Sequence, residues 1–310
     1  MNKIVIIIQA RVGSTRLPGK VLKKILGKEI LLHIVDRASK SKADKIVVAT
    51  SDDKSNDPIR ELCKRINVDC FSQSGDENNV LKRFYNAAKK YKADIIIRIT
   101  GDCPLIDPEV INKLIDMFNS SSWDFVGVAA GEGVSNPDFK GNKYPQGLDA
   151  EIFPFKVLEK AYTQAVLKYD LEHVTPFIWK RPNIFKIGSL TGLIDYSDIK
   201  LVVDTQEDFN FVEDIFTKLY PINPYFGMKD VIRFLKLRTP KYVKEALKKQ
   251  AQDIWEYFNY LLEICVDGGV LSKEMQETLM EGFEKKFMKF TTPKEVKNTT
   301  GGDRKYNIDG

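Results

Sequence analysis

The sequence predicts an α/β fold: a Rossmann-like, mostly parallel sheet with helices on both faces, followed by a C-terminal helical extension. Three observations carry this reading. Short apolar runs such as Ile4–Ile8, Lys45–Thr50 and Ile95–Ile99 have the look of strands covered on both sides. Segments with helical periodicity lie between them, two of which open at Asp57-Pro58 and Asp107-Pro108, a capping residue followed by proline at the first helical position. Repeated β-loop-α units of this kind build parallel sheets, and ligands then collect at the carboxyl ends of the strands.

Taken in order, Ile4–Ile8 is the first strand and Lys28–Ser39 a helix with Leu31, Leu32 and Val35 on one side. Strand Lys45–Thr50, a helix from Asp57 to about Ile66, strand Val68–Phe71 and helix Asn78–Tyr91 follow. Next come strand Ile95–Ile99, a helix to Phe118 and strand Phe125–Ala129. Gly131–Gln146 is polar and rich in Gly, Asn and Pro, a loop or lid. Leu148–Phe153 reads as a strand, Phe155–Lys168 and Glu172–Lys180 as helices, Phe185–Leu190 and Ile199–Val203 as strands, and Glu207–Leu219 as a helix. One α/β domain therefore covers 1–240. From Tyr242 apolar residues recur every three or four positions to Cys265, Gly268-Gly269 interrupts, and Ser272 caps a second helix. This extension (241–290) is expected to be a dimerisation or packing hairpin or the start of a further domain. The polar stretch 291–310 is expected to be disordered.

Composition narrows the function. The 310 residues are 43% hydrophobic and 29% charged, as in an ordinary soluble globular protein. A net charge of +5 without a basic block interleaved with aromatics argues against nucleic acid. Four cysteines without a CxxC pair, and only two histidines, argue against a zinc site. No apolar segment is long enough to span a membrane and the N-terminus does not read as a signal peptide, so the cytoplasm is the expected location.

The chemistry is concentrated in Gln9–Lys20, QARVGSTRLPGK, directly after the first strand. The P-loop spacing G-x-x-x-x-G-K-[ST] is not met, because five residues separate Gly13 from Gly19 and Val21 follows Lys20. The dinucleotide pattern G-x-G-x-x-G is absent as well. What remains is a loop with Arg11, Arg16 and Lys20 spaced to surround a polyphosphate, with Ser14 and backbone amides between them.

The run QARVGSTRLPGKVL resembles the signature of cytidylyltransferases that activate sugar acids, including the acylneuraminate and 3-deoxy-manno-octulosonate enzymes. VVATS (47–51), RITGDCPLID (98–107), YPQGLDAE (144–151), EHVTP (172–176) and VDTQED (203–208) look closer still to the spore coat polysaccharide biosynthesis protein F branch. The resemblance spans roughly residues 3 to 236. It implies a fold of the nucleotide-diphospho-sugar transferase type and a magnesium-dependent nucleotidyltransferase that couples CTP to an anionic small-molecule acceptor. It further implies that Asp102 and Asp204 hold magnesium, that Arg16 and Lys20 neutralise the leaving pyrophosphate, and that Gln9, Ala10, Arg11, Gly13, Ser14 and Arg83 contact the nucleotide.

Asn79 stands where the family more often has Asp, so no charged contact is expected of it. Gln146, Asp149, Glu151 and His173 are the expected acceptor side, with Asp149 and Glu151 on one face of a predicted strand. His33 and Cys103 are expected to be structural. The rival readings are a glycosyltransferase on the same scaffold and a non-catalytic nucleotide-binding scaffold protein. A homodimer is among the expected states.

Overall fold

The computed structural model describes residues 2–128, 143–238 and 258–291. The chain divides into two compact units, Met1–Leu235 and Lys236–Gly310.

The first unit is built on a seven-stranded sheet of order β5-β4-β1-β6-β8-β7-β9. Its strands are β1 (Ile4–Gln9), β4 (Lys45–Ser51), β5 (Asp69–Gln73), β6 (Ile95–Thr100), β7 (Phe125–Gly127), β8 (Glu151–Pro154) and β9 (Ile187–Ser189). Only β8 runs against its neighbours, pairing antiparallel with both β6 and β7. The two short strands β2 (Lys24–Ile25) and β3 (Lys28–Glu29) form a separate hairpin.

The uniformly apolar strands follow from a sheet covered on both faces. Alternate residues of β1 go to opposite sides. Ile4, Ile6 and Ile8 join one core, with α1 (Ile30–Ala38), α2 (Asp57–Arg65), α4 (Pro108–Asn119) and α8 (Gln206–Leu219). Val5 and Ile7 join the other, with α3 (Val80–Lys90), α5 (Phe155–Gln164) and α7 (Pro176–Trp179). Each fully buried isoleucine contributes about 1.5–3 kcal/mol of transfer free energy.

Several expected elements shift for identifiable reasons. Lys28 and Glu29 pair with the hairpin, so α1 begins at Ile30. Asn56, not Asp57, is the N-cap of α2, and Asp57 pairs with Arg60. Asn79 caps α3, its Oδ1 accepting from Lys82 N at 3.0 Å, which Asn does as well as Asp. The expected helix Glu172–Lys180 is two helices, α6 (Lys168–His173) and α7, split where Val174 takes φ 73° ahead of Pro176. The expected strand over Ile199–Val203 is replaced by a single bridge between Lys200 and Gln146. Most of the expected lid and the start of the expected long helix lie outside the described residues. In the second unit, 258–267 and Lys273–Thr291 are helical, and Ser272 Oγ accepts from Met275 N at 3.2 Å.

His33 is structural, as expected. It is 2% exposed, packs against Phe216 and Tyr220, and its Nε2–H donates to Ile25 O at 3.0 Å. Burial, chiefly, pushes its pKa down to about 4. A histidine held neutral in the fold supports stability above its unfolded pKa of about 6.5 and withdraws that support as pH falls toward 4. The expected loss across this window is about 3 kcal/mol. Melting temperatures of the parent and His33→Gln should therefore converge as the pH is lowered from 7 to 4.

Candidate active site

The loop after β1 is closed by its own backbone. Ser14 N and Gly19 N both donate to Val12 O, at 2.8 and 3.1 Å, and Leu17 and Val21 are buried as plugs into the core beneath. Gly19, at φ 66°, turns the chain into the short 3-10 turn Lys20–Leu22. Lys20 is thereby aimed back across the end of β1, while Arg16 stays largely exposed.

Asp102 is brought alongside by a close approach of two backbones. Gly101 N donates to Gln9 O at 2.8 Å, and a Cβ on Gly101 would lie 2.7 Å from that same oxygen. Asp204 arrives without a strand: Val203 N donates to Asp102 O at 2.9 Å. The segment that carries it is anchored at its start, where Leu201 N donates to Gln146 O at 2.7 Å. There Gly147, at φ 96°, admits the passing backbone, and any Cβ would stand 2.6 Å from Leu201 C.

The three groups converge on one point. Lys20 Nζ donates to Asp102 Oδ2 at 2.7 Å, to Val203 O at 2.9 Å and to Asp204 Oδ1 at 3.0 Å. Arg16 Nη2 lies 3.0 Å from the same Asp204 oxygen. Burial by itself would lower the Lys20 pKa and raise that of Asp102. Their mutual attraction outweighs it, so the lysine is held above and the aspartate below its ordinary value. Both are charged at neutral pH.

Asp208, whose role the sequence reading missed, fixes Asp204. Its Oδ2 accepts from Asp204 N and Thr205 N, both at 2.9 Å, and from Lys200 Nζ at 2.6 Å. Together with Thr205 it forms the capping box of α8. The T-x-x-D spacing was the visible signal.

On the β4 side, Arg11 Nη1 donates to Asn78 Oδ1 at 3.2 Å and lies 3.9 Å from Glu77. Glu77 Oε1 in turn accepts from Ser51 Oγ and Asn56 Nδ2, while Asn56 Oδ1 accepts from Val12 N. This network ties the anion loop to the end of β4. Gly13 stands over it, since a Cβ there would be 3.7 Å from the Glu77 carboxylate.

Arg83, an expected nucleotide contact, is 2% exposed and donates to Glu77 O at 2.6 Å. It shapes the loop from beneath. Ser14 Oγ accepts from Leu17 N at 3.4 Å within the loop, and Ala10 N is engaged with Ala49 O. The Gln9 side chain is engaged too, accepting from Arg98 Nε at 3.2 Å.

The acceptor-side expectations change most. Glu151 is 6% exposed, and both its carboxylate oxygens are taken: Oε2 by Arg98 Nη1 at 2.8 Å and Oε1 by Thr175 Oγ1 at 2.9 Å. Asp149 precedes β8 instead of alternating along it with Glu151, and its Oδ2 accepts from Gly147 N at 2.9 Å. Gln146 Nε2 donates to Ser197 O at 3.3 Å, and its backbone holds the segment leading to Asp204. His173 ends α6, packs against the Tyr169 ring in a tilted arrangement with centroids 4.4 Å apart, and is held below its ordinary pKa by partial burial and Arg98, against Glu172 and Glu151. Arg98 and Thr175 were missed, although a lone arginine inside the apolar run IIIRIT was a sign of a buried partner. Cys103 is buried against Thr100, and burial, chiefly, pushes its thiol pKa well up, which disfavours the thiolate form.

Could the site hold a divalent ion? Asp102 and Asp204 already reach one cation together, which shows that their oxygens converge. Among the described residues no cluster of three or more His, Cys, Asp or Glu forms a protein cage. Two carboxylates with open positions match magnesium, which keeps waters and takes further ligands from substrate phosphates. The donor set fits.

A Rossmann-like sheet with a cation-bearing loop and two converging aspartates at its switch point is suited to handling a nucleotide. A family model described as cytidylyltransferase matches residues 5–265, and the chain belongs to that family. It is 39% identical over 236 residues to an uncharacterised protein of Methanocaldococcus jannaschii, covering 75% of this chain and 90% of that one. Spore coat polysaccharide biosynthesis protein SpsF of Bacillus subtilis is 30% identical over 226 residues, 70% of this chain and 88% of SpsF. Among solved structures, a cytidylyltransferase from Leptospira borgpetersenii matches with a TM-score of 0.69 and 31% identity, over 77% of this chain and 96% of that one.

Proposed function

We propose that this nucleotidyltransferase couples CTP, in a magnesium-dependent reaction, to an anionic sugar, sugar acid or phosphorylated small polyol, releasing pyrophosphate in cell-surface polysaccharide biosynthesis. The observation that carries the reading is the convergence of Lys20 and Arg16 on Asp102 and Asp204. The acceptor oxygen attacks the α-phosphorus, and the bond to the leaving pyrophosphate breaks. Arg16 and Lys20 supply positive charge where that pyrophosphate departs. Arg11, braced by Asn78 and Glu77, extends the cationic rim along the loop. Asp102 and Asp204 would hold the magnesium, which when bound screens the triphosphate and polarises the α-phosphoryl oxygens.

A phosphate acceptor arrives ionised and needs no base. Cys103 and Glu151 are both buried and engaged, and neither offers one. The spore coat relative's name supports a polysaccharide pathway.

The test is to incubate the protein with CTP, magnesium and a panel of acidic and phosphorylated sugars, with ATP, GTP and UTP beside CTP, and to follow pyrophosphate. Acceptor-dependent release with CTP is expected. Turnover of a sugar nucleotide, with no release from any triphosphate, would overturn the reading in favour of a glycosyltransferase.

Asp208→Ala should raise the magnesium concentration for half-maximal rate several-fold and cost about 1–2 kcal/mol of stability through the lost cap. Asp208→Asn keeps an acceptor oxygen and should fall between the two. A magnesium titration with thermal melts checks both.

A further inference from the structure

We infer that Lys20 and the divalent cation compete for the same two carboxylates, so that the free protein keeps its metal site shut until a triphosphate arrives. The inference deepens the metal-dependent reading above and rests on it.

An ammonium has three hydrogens to donate. Lys20 spends all three inside the protein, on Asp102, Val203 O and Asp204, and its side chain is only 12% exposed. It cannot take hold of a phosphate without releasing at least one of these acceptors. A divalent ion bound by Asp102 and Asp204 would also stand against this ammonium, and two cations at such range repel strongly in a half-buried site. The contacts seen here therefore oppose both the phosphate grip and the metal.

The charges around the site lead to the same result. Lys20, Arg16 and Lys200 surround Asp102, Asp204 and Asp208, three positive groups for three negative ones. A bare divalent ion entering a balanced cluster adds uncompensated charge. A triphosphate brings the missing negative charge, new acceptors for Lys20 and Arg16, and ligand oxygens for the metal. One exchange then opens both functions.

The frame is built for a change of partner without a change of backbone. Asp204 is held through its own N–H by Asp208, and Lys200 stays 3.9 Å from its second oxygen. The Asp204 carboxylate can pass from ammonium to metal while the segment that carries it stays in place.

The test uses manganese as the probe on the full chain, without nucleotide, with free and bound ion followed by electron paramagnetic resonance. Lys20→Met should bind manganese about tenfold or more tightly than the parent, the scale of releasing hydrogen bonds between charged groups. Lys20→Met combined with Asp102→Asn should lose that gain. Equal affinity in parent and Lys20→Met would overturn the inference, as would a gain that survives Asp102→Asn.

A second measurement needs no substitution. Saturating manganese should speed acetylation of Lys20 in the parent, read by peptide mass spectrometry, and an unchanged rate would overturn the inference. Pyrophosphate release by the parent separates the two levels. Metal-dependent release with unchanged manganese affinity sinks the exchange alone, whereas absence of metal-dependent release sinks the reading beneath it.

Discussion

Asp102→Asn should lower CTP-dependent pyrophosphate release about a thousandfold, a loss of several kcal/mol of transition-state stabilisation. The amide keeps the size of the side chain and an oxygen that can still accept from Lys20, so the variant should fold, with a melting temperature lowered by the loss of the charged partner. What disappears is the negative charge that would hold the metal. Asp204→Asn is expected to behave alike, because both carboxylates meet at one point beside Lys20. Rates measured across a magnesium series provide the check. A variant that retains parental activity at every magnesium concentration would remove Asp102 from the machinery.

Glu151→Ala should act on stability, by about 3–5 kcal/mol, because it leaves the largely buried Arg98 guanidinium without its carboxylate. Thr175→Val, which removes one hydrogen bond to the same carboxylate, should cost about 1 kcal/mol. Denaturant unfolding of both variants measures these losses. If Glu151→Ala instead leaves the fold unchanged and raises only the acceptor KM, then Glu151 contacts substrate as its place in the motif YPQGLDAE suggests. The geometry favours the stabilising role. The pair joins β6 to the antiparallel β8, just where the sheet departs from the parallel pattern.

The fold was most legible in the sequence where one local pattern had one physical explanation. Ile4–Ile8 had to be buried on both faces, and Asp107-Pro108 had to start a helix, since its caps and periodicity agree. It was least legible from 146 to 204. There the chain makes few regular ladders and depends on long-range hydrogen bonds, such as Val203 N to Asp102 O, that no window of sequence contains. Val174 at φ 73° could not be foreseen from a β-branched residue.

A family resemblance pointed to the pair Asp102 and Asp204, and the sequence alone determined the layered α/β scaffold and the cationic loop after the first strand. These rest on periodicity, capping and charge, which are local properties. Only the tertiary structure decided which charges are available. It placed Glu151 and Arg83 in buried networks and Asp208 behind Asp204, and it set Lys20 between the two aspartates. The reason is that burial and pairing depend on neighbours distant in the chain, and a charged residue reads the same in sequence whether it meets a partner or a substrate.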